Sequence, residues 1–167
     1  MNNEERNTYV KRQLTAALLE LLKERELRDI SVREIAQAAG VHRVSFYRNF
    51  TEKEDILREY TGRLLRDWQA GYGDTGEGGF PGLMASLFAH FKEHQGFYLL
   101  LYRQGMSCLL LDTIKAIAGP KPEYANPEAY GAAFVSYGLY GWIDEWFRRG
   151  MAESPEEVAT LLKERVN

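Results

Sequence analysis

Cysteine is nearly absent. Cys108 stands alone in 167 residues, so no intrachain disulfide can form and a reducing compartment is the expected setting. Long apolar runs are missing too. The longest uncharged stretch, residues 129–143, is broken by Gly131, Gly138 and Gly141 and falls short of the roughly 20 apolar residues that a bilayer span requires. The opening MNNEERNTYVKR has no apolar core region, so no signal peptide is expected and the chain reads as cytoplasmic, without a membrane partner. Sustained period-two alternation is lacking, which excludes a sheet-based fold. Gly-rich phosphate loops, nucleophile elbows and paired catalytic carboxylates do not occur. His90 and His94, at i and i+4, make at most a weak metal site. No enzyme activity, metal or cofactor is therefore expected, and an enzyme or metal-binding helical bundle is a remote alternative.

Surplus charge is also small. The 21 Lys+Arg against 24 Asp+Glu give a net charge of -3, which on its face argues against a nucleic-acid partner. The two parts of the chain differ, however. Residues 1–66 hold 13 Lys+Arg and 11 Asp+Glu, while residues 67–167 hold 8 and 13. The acidity belongs to the C-terminal part.

Hydrophobic residues make up 45% of the chain, enough to bury a core, and their spacing near 3.6 predicts an all-α fold of about nine helices. Val10, Leu14, Ala17, Leu18, Leu21 and Leu22 define a first helix over about 8–25. Ser31-x-x-Glu34, Thr51-x-x-Glu54 and Ser154-Pro155-x-Glu157 each read as an N-cap hydroxyl followed by a Glu that reaches back, and Asn126-Pro127 as a cap with proline at the first helical position. Gly40 sits where a left-handed residue would end one short helix before the next, 41–50. A helix over about 53–70 is followed by GYGDTGEGGFPG, residues 71–82, with six of the fifteen glycines, which reads as a flexible connection. The C-terminal helices then start at about Leu83, Phe97, Met106, Pro127 and Pro155. Cys108, within an apolar run, reads as a core thiol.

Residues 31–53, SVREIAQAAGVHRVSFYRNFTEK, have the pattern of a helix-turn-helix: small residues at the crossing (Ala36, Ala39), glycine at the turn, and apolar Val41, Phe46 and Phe50 on the inner face. The outer face presents His42, Arg43, Ser45, Tyr47, Arg48 and Asn49, with no acidic residue between Gly40 and Phe50. Phosphates repel carboxylates and attract guanidinium groups, so this face suits DNA. By itself it suits a solvated helical corner equally well.

The segment resembles the DNA-binding domain of the tetracycline-repressor-like (TetR/AcrR) family, whose usual pattern reads Thr-x-x-x-Ile-Ala-x-x-Ala-Gly-Val-Ser-x-Gly-Thr-x-Tyr-x-His/Tyr-Phe-x-x-Lys. Here it is carried by Ser31, Ile35, Ala36, Ala39, Gly40, Val41, His42, Val44, Ser45, Tyr47, Asn49, Phe50 and Lys53. His42, Val44 and Asn49 depart from the commonest residues at their positions. The resemblance implies an N-terminal three-helix DNA-binding domain over 1–52 and a C-terminal helical dimerisation and sensing domain over 53–167. It implies a regulator, in the first instance a repressor, binding a pseudo-palindromic site on double-stranded DNA as a homodimer.

By the same resemblance Arg33 and Arg43 would contact guanine, Val44 and Ser45 base edges or a thymine methyl, and His42, Tyr47, Asn49 and Lys53 phosphates, with Arg48 in either role. The helix N-termini at Ser31 and Thr51 would assist. Gly131, Gly138 and Gly141, each costing about 1 kcal/mol inside a helix, would permit close approach at a dimer interface that includes Leu161 and Leu162. An aromatic pocket of Trp68, Phe88, Phe91, Tyr98, Tyr102, Phe134 and Tyr137 would receive a small-molecule effector. A protein partner in its place is the alternative, since the short C-terminal part leaves limited room for a pocket.

Overall fold

The structure, a computed structural model, describes residues 3–75 and 79–166. Among these residues there are nine α-helices, a single 3-10 turn and no strand, in agreement with the all-α expectation. The helices are α1 (Asn3–Leu21), α2 (Val32–Ala38), α3 (Arg43–Tyr47), α4 (Glu54–Thr75), α5 (Gly79–Glu93), α6 (Gln95–Arg103), α7 (Cys108–Ala118), α8 (Asn126–Arg148) and α9 (Pro155–Val166), with the turn Leu27–Asp29 between α1 and α2. No described helix is long and apolar enough to cross a membrane. The chain divides into two compact units, Met1–Thr61 and Gly62–Asn167.

The first unit is built on the stripe that α1 presents. Leu14, Ala17, Leu18 and Leu22 are buried with Ile35 and Ala36 of α2 and Phe46 of α3, and all three helices pack together. Ser31 caps α2 as expected. Its hydroxyl accepts from the Glu34 N–H at 3.2 Å and its own N–H donates to Glu34 Oε2 at 2.8 Å. Gly40, at φ +64°, allows the Val41 N–H to reach Ala36 O at 3.0 Å and the Gly40 N–H to reach Gln37 O at 3.1 Å. This paired closure needs a left-handed residue that a Cβ would strain.

The unit runs past the expected boundary at 52/53 because the first turns of α4 belong to its core. Ile56 and Leu57 are buried, and Lys11 forms a 2.8 Å ion pair with Glu59. The start of α4 also differs from expectation. Thr51 does not form a box with Glu54; instead Asp55 Oδ2 accepts the N–H groups of Thr51 and Glu52 at 2.9 and 3.0 Å. Asn126 is likewise the first residue of α8 rather than its cap, and Glu128 accepts from the Ala125 N–H at 3.3 Å.

The expected flexible connection over 71–82 is largely helical. Residues 71–75 extend α4 and 79–82 begin α5, while 76–78 lie outside the described residues. Tyr72 continues the packing face of α4 by stacking on Trp68. Pro81 falls in the first turn of α5, where its missing N–H breaks no helical bond.

The second unit packs α5 against α9, and α6 and α7 against α8. Its centre is aromatic. Phe91 lies edge-on to Tyr98 at 4.7 Å and to Phe147 at 5.6 Å, and Phe88 edge-on to Trp146 at 5.5 Å. Cys108 is exposed, contrary to expectation, because α7 turns Leu109, Leu110 and Ile114 inward and leaves its first residue outside.

His90 brings an imidazole into this core. It is buried, its Nε2 lies 2.9 Å from the Tyr98 hydroxyl, and burial, aided by nearby His94, pushes its pKa down to about 4 from 6.5. Between those values the unfolded chain binds the proton that the folded chain refuses, so stability must fall as pH drops from 6.5 towards 4. The expected loss is on the order of 2–3 kcal/mol, read from urea unfolding at stepped pH. His90→Gln should flatten the slope in that window; an unchanged slope would assign it to other groups.

Candidate nucleic-acid interface

Phe46 and Phe50 turn into the core at 0% and 6% exposure, and this fixes which side of α3 faces outward. His42, Arg43, Val44, Tyr47 and Arg48 are exposed and Ser45 and Asn49 half-buried. The structure therefore gathers seven of the nine expected contact residues on one short segment. Val44 is 61% and Tyr47 51% exposed, large values for an apolar and an aromatic residue beside a folded core. Such exposure is what a surface that contacts base edges requires.

Two of these side chains are linked. The Arg43 guanidinium lies 5.3 Å from the Tyr47 ring centroid, and its Nη2 donates to the Tyr47 hydroxyl at 3.0 Å. This i, i+4 pair holds the guanidinium on the outer face and leaves it further donors. Asn49 Nδ2 donates to Ser45 O at 2.7 Å, which closes the end of α3. Arg33 is exposed in the first turn of α2.

Lys53, expected at a phosphate, is engaged by the chain itself. Its ammonium donates to the carbonyl oxygens of Leu27, Arg28 (3.3 Å) and Ile30 (2.8 Å), so its three donors serve the chain's own backbone and tie α4 to the turn before α2. The reason is geometric: that turn brings the carbonyl oxygens of Leu27, Arg28 and Ile30 close to one point, where a single ammonium can donate to all three. Lys53→Ala should therefore lower stability by about 1–3 kcal/mol while leaving the salt slope of DNA binding unchanged. Denaturant titration and binding at stepped salt would check both, and a slope reduced by about one unit would restore the phosphate role.

The helix N-termini are also partly engaged. The N–H groups of Ser31, Thr51 and Glu52 donate to carboxylates of Glu34 and Asp55 and are not free for phosphate. Glu34 in turn is held by Arg25 Nη1 at 2.7 Å, and the Ser31 bonds together with Arg25 lower its pKa to about 2. The Arg25 bond to Glu34 spans nine residues, outside any capping pattern, and Asp55, three residues after Glu52, takes the accepting place that the Thr51/Glu54 spacing suggests for Glu54.

In the second unit the seven aromatics expected around an effector are not gathered about one cavity. Phe88, Phe91 and Tyr98 are fully buried, Phe91 against Tyr98 and Phe88 against Trp146, Tyr102 is half-buried, and Phe134 (80% exposed) and Tyr137 project outward from α8. Trp68 alone of the seven borders the groove between α4 and α5. The apolar spacing that suggested a pocket lining is the spacing of a core on one side and of an uncovered surface on the other.

That surface carries most of the expected interface. Tyr130, Phe134, Val135 and Tyr137 of α8 and Leu161 of α9 are exposed, and a Cβ at Gly131, Gly138 or Gly141 would meet nothing within 4 Å. Packing inside the chain therefore does not account for these glycines. Leu162 is the exception: it is buried in the chain's own core because α9 turns Val158 and Leu162 together toward α5. Beside the face, a cavity of about 350 Å³ opens between α8 and α9, lined by Gly141, Trp142, Trp146, Val158 and Leu161 among others.

Comparison with known proteins agrees with this layout. The family described as "Bacterial regulatory proteins, tetR family" matches residues 14–60, and one described as "Transcriptional regulator C-terminal region" matches residues 81–167. No curated protein matches the chain. Among solved structures, that of Lin0861 from Listeria innocua shares the fold, with a TM-score of 0.77 at 13% identity over 99% of this chain and 93% of that one.

Proposed function

This chain belongs to the tetR family of bacterial transcriptional regulators and binds DNA; from that premise we propose that it is a repressor acting as a homodimer on a pseudo-palindromic operator. The observation that carries the reading is the outer face of α3, where Arg43, Val44, Tyr47 and Arg48 are exposed together without an acidic neighbour. Arg43 and Arg33 reach guanine O6 and N7, Val44 and Ser45 meet base edges, and His42, Tyr47, Arg48 and Asn49 hold phosphates. One such unit reads few base pairs, so two are joined through α8 and α9.

The uncovered face of α8 supports that dimer. Residues near a two-fold axis meet their own copies, so a charged seam would repel itself, and α8 is uncharged from 129 to 143. A small effector taken up in the Gly62–Asn167 unit favours a subunit arrangement with lower operator affinity, by its differential affinity for the two states. The filled aromatic centre at Phe88, Phe91 and Tyr98 supports uptake at the periphery rather than in a central pocket. Action on DNA puts the protein in the cytoplasm.

Selection of binding sites from random DNA tests this reading. The expected product is an inverted repeat whose half-sites are bound in a salt-sensitive, dimeric complex. Recovery of no sequence preference would refute operator recognition, and recovery of a single half-site would refute the dimer.

A further inference from the structure

We infer that the groove between α4 and α5 binds an aromatic organic cation, and that this cation is the effector; the second half rests on the regulatory reading above, the first on geometry alone. The groove holds about 510 Å³, within the range of small-molecule sites. On one wall Trp68 and Tyr72 stack at 6.1 Å and 25° between ring planes, and the indole N–H donates to the Ser86 hydroxyl of α5 at 3.0 Å. That bond fixes the ring plane and so offers a preformed aromatic platform.

The polar groups around this platform have one sign. Asp67 and Glu93 line the groove, and no Lys or Arg does. Among the described residues neither carboxylate has an ion-pair partner, whereas Glu59 and Glu145 find Lys11, Arg148 and Arg149. His90 and His94 complete the rim. His90 adds no cation there near neutral pH, since burial holds it neutral.

A flat cation satisfies both features at once. Its charge is attracted by the ring quadrupoles of Trp68 and Tyr72 and by the two carboxylates, and its apolar body covers the rings. A neutral ligand of the same shape forgoes the electrostatic part, and an anion is repelled by it.

Isothermal titration of the full-length chain with 1-methylquinolinium, its neutral isostere 1-methylnaphthalene and the anion 1-naphthoate tests the inference. The cation should bind at least about tenfold tighter than the neutral isostere, and naphthoate should not bind. Because Asp67 and Glu93 are exposed, Asp67→Asn with Glu93→Gln should fold normally by circular dichroism and lose the preference for charge. Trp68→Leu should weaken both quinolinium and methylnaphthalene. Equal binding of cation and isostere, a preference that survives the double substitution, or no binding of the cation would overturn the site. Addition of the cation to the operator complex is read separately: release supports the effector role, and binding without release removes that role from this groove. Release by some other ligand, with the cation inert, overturns this inference and leaves operator control intact.

Discussion

Arg43→Ala should lower affinity for the selected operator by roughly thirtyfold or more, and should do so by erasing discrimination at one base-pair position in each half-site. A bidentate Arg–guanine contact contributes about 1–3 kcal/mol of discrimination, and a two-fold complex makes it twice. The cost in fold is small. Arg43 is exposed and donates to Tyr47, itself exposed, so circular dichroism and thermal midpoint should barely move. Fluorescence anisotropy against the operator and its single-base variants reads the effect directly. Loss of equal size on every sequence would mean that Arg43 contacts phosphate, and no loss would remove α3 from the interface. Tyr47→Phe keeps the ring under the guanidinium and deletes the 3.0 Å hydroxyl bond. It should therefore cost only a fraction of the Arg43 effect.

Phe134→Asp should convert the protein to a monomer at micromolar concentration and leave its fold intact. Phe134 is 80% exposed in the single chain, so its removal takes nothing from the core. In a dimer through α8, burial of a Phe side chain contributes about 1.5–3 kcal/mol per copy, and the substitution brings two carboxylates to a seam that is uncharged from 129 to 143. Gly138 and Gly141 lie one turn and two turns further along the same stripe, open on the outside, and the cavity lined by Gly141, Trp142 and Trp146 gives the partner's aromatic side chain somewhere to go. The dissociation constant should rise by two orders of magnitude or more. Sedimentation equilibrium of both proteins checks it. A variant that stays dimeric would place the interface elsewhere, and a monomeric wild type would deny the dimer. Operator affinity should fall with the dimer, since one α3 retains only one half-site.

The DNA-facing segment was legible because its signals are local. Ser31 and Glu34 are three residues apart, Gly40 punctuates the turn, and Phe46 and Phe50 fix the inward face through helical spacing alone. The backbone bonds of Lys53 are invisible in sequence because Leu27, Arg28 and Ile30 lie more than twenty residues away. A basic residue in a DNA-binding motif looks the same whether it meets phosphate or its own backbone. Phe134 and Phe91 look alike in sequence, since apolar periodicity marks a face without saying what covers it.

The glycines divide in the same way. Gly40 announces its role by position, after a helix and before a restart. The six glycines of residues 71–82 suggest a linker, yet most of that segment is helical; within α4 the i, i+4 stacking of Tyr72 on Trp68 offsets part of the glycines' low helix propensity.

The sequence by itself determined the helical class, the helix-turn-helix and its acid-free outer face, because helix periodicity, capping and local charge are properties of residues a few positions apart. Only the tertiary structure decided that Lys53 clasps the backbone, that Leu162 is core while Phe134 and Gly138 are surface, and that Asp67, Trp68, Tyr72 and Glu93 share one groove. Each of those outcomes depends on which distant segment packs against a given face, and one-dimensional spacing carries no information about that.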